Sequence, residues 1–260
     1  MTETDGTDSR RMISALAHRD HPIHAPLSDA SVDRLLTRAV TPETERVLDL
    51  GCGEAAWLVR ALTGRPALRA AGVDLGAEAV EEARRAVALA GLTDRIDLHQ
   101  LDAREFAADY PFDLVLSVGA CHVLGGLLPT LDAAARHLAP GGTVLVGDGF
   151  WEREPGPAAL EALGADAGEY DDLATTVQRV REAGWTPVYG HVSSLAEWDA
   201  YEWAWTGTLA RWALDHPQHP LSSRAAEAAR AHQHGWLAGY RGTLGFVTLL
   251  LRRTTEDGGA

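Results

Sequence analysis

The chain has 260 residues, 46% hydrophobic and 23% charged, an ordinary composition for a folded protein of one domain or one domain with a cap. Its 23 basic residues, all arginine, stand against 37 acidic ones, and the resulting net charge of −14 argues against a nucleic-acid partner, whose phosphates it would repel. Two cysteines are too few for a disulfide scaffold, and neither a basic-then-apolar leader nor a membrane-length apolar run of roughly 20 residues is present, so a cytoplasmic protein with no membrane contact is expected.

Residues 1–10 read as a polar, frayed end. Strands are predicted at 46–50 (RVLDL), 69–74 (RAAGVD), 96–100 (IDLHQ), 113–118 (DLVLSV) and 143–148 (TVLVGD), with helical stretches between them. Alternation of this kind marks a parallel sheet covered on both faces. The cleanest helix is 77–90, with acidic residues in its first turn and Gly91 as its stop. Pro140-Gly141-Gly142 reads as the turn into the fifth strand. A helix near 172–183 ends at Gly184 and leads to a strand at 186–192. Two helices follow, 195–215 and 222–239, split by HPQHPLSS, before the apolar run TLGFVTLLL at 243–251 closes the fold as a strand. One domain over 1–253 is expected, with cap elements from about 10–42 and 195–240, and 254–260 as a disordered tail. Five of the eight tryptophans, Trp198, Trp203, Trp205, Trp212 and Trp236, fall in the helical excursion, as the wall of a pocket or as glue between helices and sheet.

The most informative run is VLDLGCGEAAW at 47–57, a strand that breaks into Gly51-Cys52-Gly53 and re-forms as a helix. Glycines there let the backbone turn tightly and approach a ligand. Asp49 stands two residues before the first glycine, where its carboxylate suits a ligand amine. Asp74 ends the second strand, placed for a two-point grip on ribose hydroxyls. Asp102, after the third strand, is placed to accept from an adenine amino group. A phosphate loop is excluded because the chain has no lysine. A dinucleotide site would prefer glycine at Ala56 and would be opposed by Asp49, whose charge repels a pyrophosphate.

As an ordered set, VLDLGCG, GVD, LDA, FDLVLSVGA and LAPGGTVLVGD resemble the class I S-adenosylmethionine-dependent methyltransferases over about residues 45–150. The wider chain resembles the YjhP-like bacterial group, through HPIHAP near the start, VGACHVLGG after the fourth strand, Phe150-Trp151, the EWDAYE run from 197 and Tyr240-Arg241. The resemblance implies a Rossmann-like α/β sheet of seven strands, order 3-2-1-4-5-7-6 with strand 7 antiparallel, and a helical cap. It implies S-adenosyl-L-methionine as donor, S-adenosyl-L-homocysteine as product, and Asp49, Gly51, Cys52, Gly53, Asp74, Leu75, Asp102, Ala103 and Ser117 as donor-binding positions. The expected reaction is methyl transfer to O, N or an activated C of a small metabolite by a monomer or homodimer. A donor-binding protein without turnover is the alternative.

Ser117-Val118-Gly119-Ala120 stands where amine methylases of nucleic acid carry an Asn/Asp-Pro-Pro-aromatic motif, and Cys121 lacks the proline of a pyrimidine-methylating thiolate, so it reads as packing. His122, at the C-terminal edge of the fourth strand, is the candidate catalytic group, as base or hydrogen-bond partner of the acceptor, against a packing histidine. Phe150 and Trp151 are expected as aromatic walls, and His24 as part of a lid. Trp198, Tyr201, Glu202 and Trp205 share one helix face, either toward a planar or cationic acceptor or as a core stripe. Arg241 would hold an acceptor carboxylate or form a surface salt bridge. No metal spacing is found; His216, His219, His232 and His234 read as solvated surface.

Overall fold

The computed structural model describes Met12, Ile13 and residues 16–254; the expected frayed start and all of the expected tail except Thr254 lie outside these. The described chain forms two compact units, one of residues 28–150, 173–192 and 246 onward, the other of residues up to 27, 151–172 and 193–245. Residues 151–172 fall in the smaller unit, and the helix Asp29–Ala39 falls in the larger one.

The larger unit is built on a seven-stranded sheet. Its strands are β1 (Arg46–Leu50), β2 (Arg69–Asp74), β3 (Ile96–Gln100), β4 (Phe112–Val118), β5 (Leu138–Trp151), β6 (Trp185–Val192) and β7 (Leu244–Arg253). The order is β3-β2-β1-β4-β5-β7-β6, with parallel pairing from β3 to β5 and β7 antiparallel to β6. The central strands bury both faces, which is why VLDL and LVLSV read as continuous apolar runs instead of alternating ones. Leu48, Leu50, Val115, Val144, Val146, Leu249 and Leu251 lie in one core cluster. Helix Ala77–Leu89 buries Val80, Ala83 and Val87 along one face, and Gly91 at φ +68° ends the turn as expected.

Two boundaries differ from expectation. Pro140-Gly141-Gly142 is no separate turn: β5 runs through it from Leu138, the register shifting between Phe112 and Leu114 to absorb the extra residues. Gly142 is required there, because a Cβ would stand 3.0 Å from the carbonyls of both Ala139 and Asp113. At the other end of the chain Thr254, placed in the tail from sequence, is held by its N–H to Gly184 O at 2.9 Å and its hydroxyl to Thr186 Oγ1 at 2.9 Å.

In the smaller unit helix Leu195–Asp215 opens with a capping box, Ser194 and Glu197 bonding each other's backbone N–H. It packs on helix Ser222–Gly235 through Leu209, Ala213, Ala225 and Ala229, joined by Ile13 and Ala17. The second helix ends four residues earlier than predicted and widens into a π-turn, Trp236–Tyr240. Gly235 and Gly239 let this turn lie against helix Pro157–Leu163, since a Cβ on Gly239 would stand 2.8 Å from Ala158 O. No described helix is long and apolar enough to cross a membrane.

Candidate functional site

β1 delivers Asp49 and Leu50 to the sheet edge and breaks at Gly51. The N–H groups of Gly51 and Cys52 both donate to Val73 O, at 2.9 and 3.0 Å, folding the loop onto β2. Gly51 sits at φ +80°, and a Cβ on it would fall 2.5 Å from Ala120 Cβ. Gly53 sits at φ +51° with nothing within 4 Å of its would-be Cβ. Gly51→Ala is therefore expected to destabilise by roughly 2–4 kcal/mol, left-handed strain plus overlap, and Gly53→Ala by only about 1 kcal/mol. Urea unfolding of the two variants checks this; equal losses would remove the Ala120 contact as the reason for Gly51.

Asp74 locks the same loop. Its Oδ2 accepts from Gly53 N at 2.9 Å and its Oδ1 from Gly76 N at 2.8 Å, so each oxygen keeps one lone pair for a ligand hydroxyl. Leu75 beside it leaves 64% of its surface exposed, an apolar face at the mouth of the loop. Asp102 Oδ1 accepts from Arg104 N at 2.9 Å, which fixes the loop after β3 and leaves Oδ2 open.

Asp49 is the anomaly of this edge. Its residue is 2% exposed, and Oδ2 is sealed with no hydrogen-bond partner. Burial, and after it the charge of Asp74, push its carboxyl up to about 8. A buried carboxylate without a donor is costly, and a ligand ammonium supplies both the donor and the opposite charge. The residues present therefore fit an amino-acid ligand joined to a ribose and a purine.

Three further expected donor-binding positions have buried side chains. Cys52 is buried against Gly72, and burial, then Asp49 and Asp74, push its thiol well up, so it packs and does not react. Ala103 lies in the core cluster. Ser117 is wholly buried and donates its hydroxyl to Leu50 O at 3.0 Å, tying β4 to the end of β1.

His122 rides on the short helix Cys121–Leu124 after β4, exposed and without a side-chain hydrogen bond among the described residues. Cys121 is buried and its thiol, pushed up by burial, points to Gly147 O at 3.6 Å, in keeping with packing. Phe150 corrects the expectation of a wall: it is 1% exposed and belongs to the sheet's core cluster. Trp151 likewise packs edge-on against Tyr170 and donates Nε1 to Ala167 O at 3.0 Å.

The smaller unit holds a second set by itself. Trp198, Tyr201, Glu202 and Trp205 do share one cluster. Tyr201 OH lies 3.1 Å from His18 Nε2, and His18 stacks on His24 at 3.9 Å between centroids. The surroundings of His24, and after them His18 and His21, hold its imidazole below its usual range, so it stays neutral near pH 7. Glu202 is 2% exposed; its Oε1 accepts from Tyr240 OH and its Oε2 pairs with His232 Nε2, both at 2.7 Å. His232 in turn stacks on Trp205 at 4.0 Å. This corrects its reading as solvated surface; no spacing along one helix signals a pair formed across two. Arg241 is spent on Asp199, bonding both carboxylate oxygens at 2.8 and 2.7 Å, so the salt bridge is what the structure shows.

Residues 47–142 match the family described as Methyltransferase domain. The YjhP protein of Escherichia coli K12 is 27% identical over 221 residues, 81% of this chain and 86% of that one. A fatty-acid O-methyltransferase of Mycolicibacterium smegmatis is 32% identical over 203 residues, 66% of this chain and 72% of its own. The chain belongs to the class I S-adenosylmethionine-dependent methyltransferases. The crystal structure of a Geobacter sulfurreducens S-adenosylmethionine-dependent methyltransferase in complex with S-adenosyl-L-homocysteine shares the fold, with TM-score 0.84 and 24% identity over 93% of this chain and 98% of that one. The Rossmann-like sheet order and the antiparallel β7 expected from the sequence are those of this methyltransferase fold. The donor of the family is S-adenosyl-L-methionine.

Proposed function

We propose that the protein transfers the methyl group of S-adenosyl-L-methionine to an O, N or activated C atom of a small metabolite. The observation that carries this reading is Asp49, a buried carboxylate with no donor beside a loop in which Gly51 admits no side chain. The donor's sulfonium supplies an already activated methyl group, so this chain's residues have only to bind, align and exclude water. Asp49 pairs with the amino-acid ammonium, the remaining lone pairs of Asp74 accept from the ribose hydroxyls, and Asp102 Oδ2 accepts from the adenine amino group. Leu75 flanks the base, while Ser117 acts through Leu50, whose carbonyl it holds. The acceptor is a small molecule, in accord with the net charge of −14, which opposes a nucleic acid. An O-methyltransferase among the relatives makes hydroxyl and carboxylate acceptors the first to screen.

Thermal unfolding with S-adenosyl-L-methionine, S-adenosyl-L-homocysteine and NAD in parallel tests the donor. Ligand at a hundred times its Kd adds about 2.7 kcal/mol, a rise of several degrees for a chain of this size. A rise with the first two alone is expected; a rise with NAD alone, or with none, would overturn the reading. His122 is proposed to meet the acceptor, as its base or hydrogen-bond partner. As base, its removal in His122→Ala lowers kcat by about 10²–10⁴. Turnover of a responsive acceptor within about threefold of wild type would end the base assignment, since a general base contributes far more than that.

A further inference from the structure

The loop after β3 and the short helix after β4 are joined by one side chain that the sequence did not single out. Arg104 lies two residues after Asp102. Its backbone N–H donates to Asp102 Oδ1 at 2.9 Å and its Nε stands 3.5 Å from the same oxygen, so guanidinium and carboxylate are held together. Its Nη2 then reaches across to donate to Val123 O at 2.8 Å.

That carbonyl belongs to the helix Cys121–Leu124, which bears His122. The carbonyls of Cys121 and His122 are taken by the N–H groups of Gly125 and Gly126, as at an ordinary helix end. Val123 O lies one step further on, and the arginine supplies its donor, with positive charge at a helix C-terminus. Elsewhere the helix is held by the packing of Cys121 and Leu124 in the sheet's core cluster, by a side-chain hydrogen bond between Cys121 and Asp148, and by Thr130 Oγ1 to Cys121 O at 3.4 Å. The backbone beyond it turns through Gly125 at φ +94° and Gly126 at φ +110° into the helix Leu127–Ala135. At its other end the helix starts from Ala120, the residue that leaves no room for a side chain at Gly51. It is therefore braced at one end by the glycine loop and at the other by Arg104.

We propose that Arg104 is a positioning residue for methyl transfer: it passes the engagement of Asp102 by the donor's adenine on to the helix that carries His122. This rests on the donor reading above. An adenine amino group on Asp102 Oδ2 fixes the carboxylate, the carboxylate fixes the guanidinium, and the guanidinium fixes Val123 O. Ordering paid at the first step is not paid again when an acceptor meets His122, so donor and acceptor bind cooperatively, each raising the affinity for the other.

Hydrogen exchange on the full chain tests this with adenosine, which carries the base and ribose without the amino acid, and with S-adenosyl-L-homocysteine. The Arg104 side chain is 63% exposed, so Arg104→Ala is expected to fold with a nearly unchanged melting temperature. In wild type both ligands slow exchange in 101–105 and in 121–126. In Arg104→Ala the first segment stays protected, and the protection that ligand adds to 121–126 falls by a factor of about 5–100. Arg104→Lys, which keeps a charge and a donor, recovers part of it, and Arg104→Met, which keeps the length without either, does not. Unchanged ligand protection of 121–126 in Arg104→Ala, or none there in wild type, overturns the proposal. If neither ligand slows exchange anywhere in 49–55, 74–76 or 101–105, the donor reading fails instead.

Discussion

Asp49→Asn is expected to raise the melting temperature of the ligand-free protein and at the same time to remove the stabilisation by S-adenosyl-L-homocysteine. The folded carboxyl is pushed up to about 8 by burial and by Asp74, against 3.8 for the free side chain. Between those values the folded chain holds a proton that the unfolded chain has released. Stability therefore falls as pH rises from about 4 to about 8, and at pH 7 the group costs on the order of 3–5 kcal/mol. Asparagine removes that penalty but leaves a polar atom unpaired at about 1–3 kcal/mol, so the net gain is on the order of 2 kcal/mol and a few degrees. Binding moves the other way. Loss of one partner of a buried charge pair costs about 2–5 kcal/mol, which is roughly 30- to several thousand-fold in affinity. Because Asp49 must ionise to meet an ammonium, wild-type affinity also rises with pH toward 8, by at most about tenfold per unit, and binding releases a proton. Melts and titration calorimetry of both proteins at pH 5.5, 7 and 8.5 check all three statements. Near-normal affinity in Asp49→Asn would show that the ammonium lies elsewhere.

What the sequence exposed and what it hid follow from the range of the interactions. The glycine loop was readable because its signals are local: Gly51 needs φ +80° at the end of an apolar strand, and Asp49 and Asp74 stand at fixed steps from strand ends. The central strands were readable because both faces are buried, so the apolar run has no gaps. Phe150 misled because the residue after a strand edge looks the same whether it faces a ligand or the core; its burial against the sheet depends on residues far away in the chain. The π-turn at Trp236–Tyr240 was hidden because its cause is the close approach of Gly239 to Ala158, a contact between distant segments. Arg104 and His232 were hidden for the same reason: the partner of the first is the Val123 carbonyl, and that of the second is a glutamate on another helix.

Glu202→Ala is expected to cost the smaller unit about 3–5 kcal/mol, because it strips the buried Tyr240 hydroxyl and the half-buried His232 of one acceptor. The carboxylate is 2% exposed, and its oxygens are divided between Tyr240 OH and His232 Nε2, both at 2.7 Å. Glutamine in its place is the informative contrast. Its carbonyl still accepts from Tyr240, and its amide can donate to His232 Nε2 in the tautomer that leaves that nitrogen an acceptor, so Glu202→Gln should lose no more than about 1–2 kcal/mol. Tyr240 gives the pair a further signature. Burial, and then the charge of Glu202, push its phenol above the ordinary tyrosine range. The folded chain therefore keeps a proton that the unfolded chain loses above about pH 10, so the Tyr240 contribution is intact below that pH and drains away as pH rises beyond it. Glu202→Ala removes both the charge and the hydrogen bond of Glu202 from these causes and leaves burial, so its alkaline loss should be shallower than that of wild type. Urea unfolding read by hydrogen exchange at the amides of 195–215 and 222–240, at pH 7 and pH 10.5, measures both effects. A loss under 1 kcal/mol at pH 7, equal for alanine and glutamine, would mean that water reaches Tyr240 and His232 once the carboxylate is gone. The two helices would then be held by the apolar contacts of Leu209, Ala213, Ala225 and Ala229 instead of by the buried charge.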